Sequence, residues 1–324
     1  MAEHFRVIGT SARRADAGEK VTGAARYTAD MAVPGMLWAK SLRSPHAHAR
    51  IVSIDASRAV ALPGVRVVLT GADVRGVRFG RRLRDVPVLA DDRVRFVGER
   101  VAAVAADDPE TAGTACQLIN VVYEELPAVF GPEAAMADDA PVLHPDVNSY
   151  GGLPRPVDGH LNAFVSDSWG VGDVAEGFAR ADLIVEGTYA TQRVHQGYME
   201  PHACLVWIDE GGQVQIQAST KAPHRLKADV ALALDLPLEQ VRVHHATVGG
   251  DFGGKGSPMD VPLCYFLAKA TGRPVRATMT YAEELAAGNP RHASVTTMRT
   301  GVKRDGTLVA HEARILFNSG AYGG

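Results

Sequence analysis

The densest chemical signal in the chain is the run Gly249-Gly250-Asp251-Phe252-Gly253-Gly254-Lys255-Gly256. Hydrophobic patterning predicts a strand over residues 241–248 before it and a helix over 261–270 after it. In that setting successive backbone N–H groups and a helix N-terminus can hold an anion, and glycines let the backbone approach closely. Lys255 would add a point charge, and Phe252 would cover a flat ligand or pack beneath the loop. The spacing from Gly249 to Lys255 fits the GxxxxGK of a nucleotide-binding P-loop, but the next residue, Gly256, has no hydroxyl with which to ligate magnesium. The glycines also miss the GxGxxG spacing of a dinucleotide fold. The residues alone leave two readings open, an anionic cofactor site and a structural turn.

Other chemistry-bearing groups are weaker. His195, Glu200 and His202 lie close in sequence, but seven residues with Pro201 among them are not the helical i,i+4 spacing of a zinc site, so packing or loop hydrogen bonding is expected. His244 and His245 are consecutive on a predicted strand and point to opposite faces, so they cannot easily share one ion. Cys116, Cys204 and Cys264 form no CxxC pair, which argues against an iron-sulfur site in this chain and for buried small hydrophobes. The basic stretch from Arg75 to Arg84 reads as a solvated loop or subunit contact. No nucleophile elbow accompanies a Ser, His and Asp set, which leaves acyl hydrolysis without a motif.

The elements that must position these residues read as α+β. Alternation predicts strands over 37–42, 49–54 and 65–69, with a short helix over 57–61. A strand over 101–106 precedes a helix over 109–119 that Asp108 can cap and Pro109 can start, and 121–123 returns as a strand. Residues 128–166 dissolve into Pro, Gly, Asp and Asn and read as a connector. Beyond it, helices are expected over 173–179 and 223–234, and strands over 182–189, 203–208, 213–218 and 307–320. A length of 324 residues exceeds what one hydrophobic core usually supports, so two cores are expected. The net charge of -3 gives no electrostatic footprint for nucleic acid. Met1 opens no leader-like run and no apolar stretch of about 18 residues occurs, so the default location is cytoplasmic, without a membrane span.

Read together with its neighbours, the loop resembles the GGxFGGK-type segment of the molybdenum-binding subunits of the xanthine dehydrogenase and aldehyde oxidase family. The likeness continues in family order through Lys20-Val21-Thr22-Gly23, Arg43-Ser44-Pro45-His46, Val97-Gly98-Glu99-Arg100, Met199-Glu200-Pro201-His202, Ala218-Ser219-Thr220, Arg291-His292 and Gly320-Ala321-Tyr322. The resemblance implies a hammerhead α/β domain over residues 1–130, a connector over 131–165, and the first half of a molybdopterin-binding domain over 166–324. It implies that Gly249, Gly250, Asp251, Phe252, Gly253, Gly254, Lys255 and Lys221 bind molybdopterin, with Glu200 and Gly256 as candidates for the substrate pocket.

The reaction so implied is oxidation of an aldehyde, an N-heterocycle or a related small molecule. Electrons would pass to iron-sulfur clusters and FAD on partner subunits. Two departures stand out: Lys221 follows Ser-Thr where many relatives have a glutamine, and Asp251 replaces the third glycine of the loop. The family's general-base glutamate lies downstream of the region matched here, so no catalytic residue is assigned. A second chain carrying the other half is therefore expected as a partner. The alternative is a non-catalytic remnant that acts as an assembly module.

Overall fold

The computed structural model describes residues 6–323. The opening residues scanned for a leader, and Gly324, lie outside them. Its centre is a seven-stranded mixed sheet, running in space from Val241–His244 through Val214–Ala218, Ala203–Ile208, Val275–Thr278, Leu37–Arg43 and Arg100–Ala106 to Val65–Thr70. Arg100–Ala106 is apolar from Val101 onward and buried along its whole length, as a strand covered on both faces must be. It pairs antiparallel with Leu37–Arg43 on one side and Val65–Thr70 on the other. The helix Pro109–Leu118 closes one face: Asp108 accepts the Thr111 N–H at 2.8 Å, and Ala112, Ala115 and Cys116 are its buried side.

The division expected near residues 131–165 is not a division of the sheet. Leu37–Arg43 pairs in parallel with Val275–Thr278, Leu37 opposite Val275, so strands from both ends of the chain share one ladder. The largest core cluster accordingly mixes Leu37, Leu69 and Phe79 with Val206, Ile216, Leu263 and Leu267. Parallel pairing needs a long crossover, and here the chain between Arg43 and Val275 supplies it. The connector is packed rather than loose. Asn162 donates to the carbonyls of Ala135 and Pro141 and accepts from the Leu143 N–H, while Leu83, Val147 and Tyr150 form a small core of their own.

The helices Pro223–Ala233 and Val261–Thr271 pack on the large sheet, the second ending at Gly272 in the left-handed conformation (φ 63°). The strand expected over 241–248 stops at His244, leaving Thr247 in an isolated bridge with Tyr27. The longer elements that were not expected include the strands Val275–Thr278 and Ala293–Val302 and the helix Tyr281–Ala287. Ion pairs tie the last helix and the start of Val261–Thr271 to the first half of the chain. Lys40 reaches Glu283 at 2.7 Å and Arg100 reaches Asp260 at 2.6 Å.

Ala293–Val302 is the middle of a separate antiparallel sheet between Leu308–Asn318 and Leu183–Thr191. The register places Leu183, Val185, Tyr189, Met298, Ile315 and Phe317 on one face, and all six are exposed. The short helix Val174–Ala179 lies on the other face, where Phe178 meets Gly301 and Arg299. No described helix is long and apolar enough to cross a membrane.

Candidate functional site

The loop at 249–256 leaves the sheet after the Tyr27–Thr247 bridge and leads into Val261–Thr271. Its glycines answer first to protein neighbours. A Cβ on Gly249 would lie 2.6 Å from the Glu200 Cβ, and one on Gly254 would lie 2.5 Å from the Tyr198 ring. Gly250, at φ 100°, sits on the Tyr198 Cβ. Tyr198-Met199-Glu200 is therefore the floor on which the loop rests, and a side chain at 249 or 254 would lift it off. Gly253 and Gly256 differ, because a Cβ there would meet cationic side chains: at 253 it would lie 3.6 Å from the Arg291 guanidinium, and at 256 it would lie 3.5 Å from the Arg81 guanidinium and 3.9 Å from the Lys221 Cε. Phe252 is 64% exposed, so its ring faces outward and does not pack beneath the loop.

The anion that the loop amides hold is the chain's own. Asp251 turns inward and accepts the Gly253 N–H at 2.8 Å, the Lys255 N–H at 2.6 Å and the Lys221 ammonium at 3.0 Å. Burial pushes its carboxyl up, but the Gly253 amide, Lys221 and the Lys255 amide together hold it below the usual carboxylate range. The amides at 253 and 255, expected to face a ligand, are directed at Asp251. Lys255 also departs from its expected role as a charge presented to a ligand. Its side chain is fully buried, its Nζ lies 2.6 Å from Glu200 Oε2 and it stands over the Tyr198 ring at 4.8 Å. The same Glu200 oxygen accepts the Gly249 N–H at 2.7 Å. Glu200, expected in the substrate pocket, is thus inside the wall, with its Oε2 shared by Lys255 and Gly249 and its Oε1 buried without a hydrogen-bond partner among the described residues.

Beneath this pair lies a second buried network that the sequence did not reveal. Glu284, fully buried in Tyr281–Ala287, accepts the Tyr198 hydroxyl, the His202 N–H at 2.8 Å and His202 Nδ1 at 2.8 Å. His195 Nε2 stands 3.7 Å from the same carboxylate. Burial alone would raise the Glu284 carboxyl; the bonds from His202 and Tyr198 outweigh it and bring it to about 2. The signal for this helix was present in Thr280 and Glu283, which form a capping box in the structure. His195 and His202 therefore meet on a carboxylate far along the chain, and Glu200 faces Lys255. Among the described residues no group of three His, Cys, Asp or Glu is arranged to hold a metal ion.

The remaining candidates fall elsewhere. His244 stacks on Trp207, 5.5 Å between ring centroids, and bonds Gln215 at 2.7 Å. Cys204 and Cys264, distant in sequence, bring their Sγ atoms to 3.5 Å in the core as free thiols. Arg81, read as part of a solvated basic loop, is instead the residue of that stretch that reaches Gly256.

The exposed face of the site is thus Phe252, Gly253 and Gly256 with Lys221, Arg81 and Arg291 around them. Asp251, Lys255, Glu200 and Tyr198 hold it from behind. Residues 22–127 match the aldehyde oxidase and xanthine dehydrogenase a/b hammerhead domain, and residues 157–324 match the molybdopterin cofactor-binding domain. The xanthine dehydrogenase molybdenum-binding subunit of Escherichia coli O157:H7 is 37% identical over 95% of this chain and 41% of its own length. The nicotinate dehydrogenase large molybdopterin subunit of Eubacterium barkeri is 36% identical over 99% of this chain and 73% of its own. The solved CO dehydrogenase from Oligotropha carboxidovorans superposes with a TM-score of 0.86 at 29% identity, covering 95% of this chain and 39% of that one. The chain therefore spans about two-fifths of the length of the xanthine dehydrogenase relative.

Proposed function

The chain belongs to the aldehyde oxidase and xanthine dehydrogenase family, and on that premise we propose that its 249–256 loop is one wall of a molybdopterin site in a molybdenum hydroxylase. The observation that carries this reading is the outward side of the loop: glycines at 253 and 256 leave space that Arg81, Lys221 and Arg291 surround with positive charge. An anionic pterin cofactor fits that donor set, and the exposed Phe252 ring offers a flat apolar edge beside it. When bound, the cofactor supplies two-electron redox chemistry at molybdenum. The chain's own residues supply position. Asp251 fixes the loop from within, the Lys255–Glu200 pair anchors its two ends, and Lys221 and Arg291 offset ligand charge. Glu200, through its Oε2, ties Lys255 to the Gly249 amide.

The substrate is an aldehyde or N-heterocycle in this reading, the location is cytoplasmic, and electrons leave to iron-sulfur and FAD subunits. The rest of the family's length completes the site, on the same or a second polypeptide. The open sheet face supports this, because Tyr189, Met298, Ile315 and Phe317 are exposed on it among Thr191, Ser294 and Thr296, and exposed large apolar side chains gathered on one face mark an interaction surface. The Eubacterium barkeri subunit, of which this chain covers 73%, is a family member much shorter than the xanthine dehydrogenase chains.

Coexpression with a polypeptide carrying the remaining family length should yield a complex with stoichiometric molybdenum and pterin, read by metal analysis and by fluorescence of the oxidised pterin. A complex free of both under molybdate-replete conditions would remove the cofactor reading. Phe317→Asp should weaken complex formation at least tenfold, since it sets a charge in an apolar interface. Unchanged assembly would exclude that face as the contact.

A further inference from the structure

We propose that Arg81 and Lys221 converge over Gly256 to form a subsite for one anionic group, a carboxylate or a phosphate, of a ligand lying against this wall. The inference rests on the loop being ligand-facing and adds the charge class that it selects. Arg81 comes from the first half of the chain and Lys221 from the segment before Pro223–Ala233, yet the Arg81 guanidinium and the Lys221 Cε, next to its ammonium, lie 3.5 and 3.9 Å from the point where a Gly256 side chain would begin. Any larger residue at 256 would fill the space between them, so glycine keeps it open.

The position of Arg81 is fixed: its backbone carbonyl accepts the Arg225 guanidinium, and Arg225 is itself held by Asp229 at 2.7 Å. Asp229, already bonded to Arg225, is the carboxylate whose charge Arg81 shares. Lys221 already shares Asp251 at 3.0 Å. Three cations, Arg81, Lys221 and Arg225, therefore stand against two carboxylates, Asp229 and Asp251, and one positive charge is left over beside an open space. Two cations brought together without a full counter-charge repel each other, and an anion between them relieves that repulsion. A guanidinium offers a planar fork that matches two carboxylate or phosphate oxygens, and the ammonium adds a third donor.

The same chemistry could come from a phosphate of the cofactor or from a carboxylate on the substrate, and two probes separate them. The full chain is titrated calorimetrically with sodium pyrophosphate and, separately, with sodium benzoate, at low and raised salt. At least one anion should saturate, with affinity falling as salt rises. Arg81→Gln and Lys221→Gln should each weaken it about tenfold. Both residues are exposed, so the variants keep their fold, which circular dichroism checks. Pyrophosphate binding alone assigns the subsite to a cofactor phosphate, and benzoate binding assigns it to a substrate carboxylate; either supports the anion site. Failure of both anions to saturate, or wild-type affinity in both variants, overturns it. The titration needs no molybdenum, so a pterin-free complex would sink the cofactor reading and leave this result standing, and the reverse holds equally.

Discussion

Replacing Lys255 with methionine should lower the unfolding free energy of the chain by about 3–5 kcal/mol, the cost of removing one partner from a buried ion pair. The change preserves length and apolar stem while deleting the ammonium. Glu200 would be left with the Gly249 N–H at 2.7 Å as its donor in a site where Lys255 has no exposed surface. The loss comes from the stranded carboxylate more than from the missing attraction, because burying an unpaired charge is far costlier than burying neither. That distinction makes the effect testable in two parts. Lys255→Met and Glu200→Gln should each destabilise strongly, whereas the double variant should be at least about 2 kcal/mol more stable than the sum of the two, since it leaves no charge unpaired. Urea denaturation followed by circular dichroism measures all four proteins. A single-variant cost below about 1 kcal/mol, or strict additivity, would mean that the pair is solvated and does not anchor the loop.

The contrast between Asp251 and Lys255 shows what the sequence could and could not convey. Glycines clustered between a strand and a helix announced a loop with close backbone contacts, and the loop is there. Whether those contacts are with ligand or with protein depends on residues the spacing does not identify. Tyr198 and Glu200 come from a different segment, and they, not a ligand, dictate Gly249 and Gly254. Asp251, an anion in a loop suited to hold one, occupies the amides that an external phosphate would have used. Local elements were legible where a single segment carries the whole signal, as in the Asp108 cap and the apolar run of Arg100–Ala106. The shared sheet was not, because the parallel pairing of Leu37 with Val275 joins segments from opposite halves of the chain. Arg81 was invisible for the same reason. A basic loop residue gains its meaning only when the fold sets it beside Gly256.

Glu284 should give the protein a large pH-dependent effect on stability. Its carboxyl is lowered from an ordinary 4.5 to about 2, against the direction of burial, because His202 and Tyr198 donate to its charged form. A carboxyl whose folded pKa is depressed stabilises the protein above its unfolded value and loses that stabilisation as pH falls through the folded value. The contribution, on the order of 3 kcal/mol, should therefore be fully present above about pH 5 and fade between 4.5 and about 2. Glu284→Gln removes the titration. It should be less stable than the parent by roughly that amount at pH 7, with the gap closing progressively as acid is added. Tyr198→Phe is the more delicate probe. It keeps the ring under Gly250, Gly254 and the Lys255 ammonium while deleting one donor, and it should narrow the gap by shifting the midpoint of acid loss upward. The two variants share a mechanism that couples the helix Tyr281–Ala287 to the floor of the loop. If the Glu284→Gln and parent stability curves run parallel from pH 7 to pH 3, the carboxylate is not held by these donors and the floor must be fixed by packing alone.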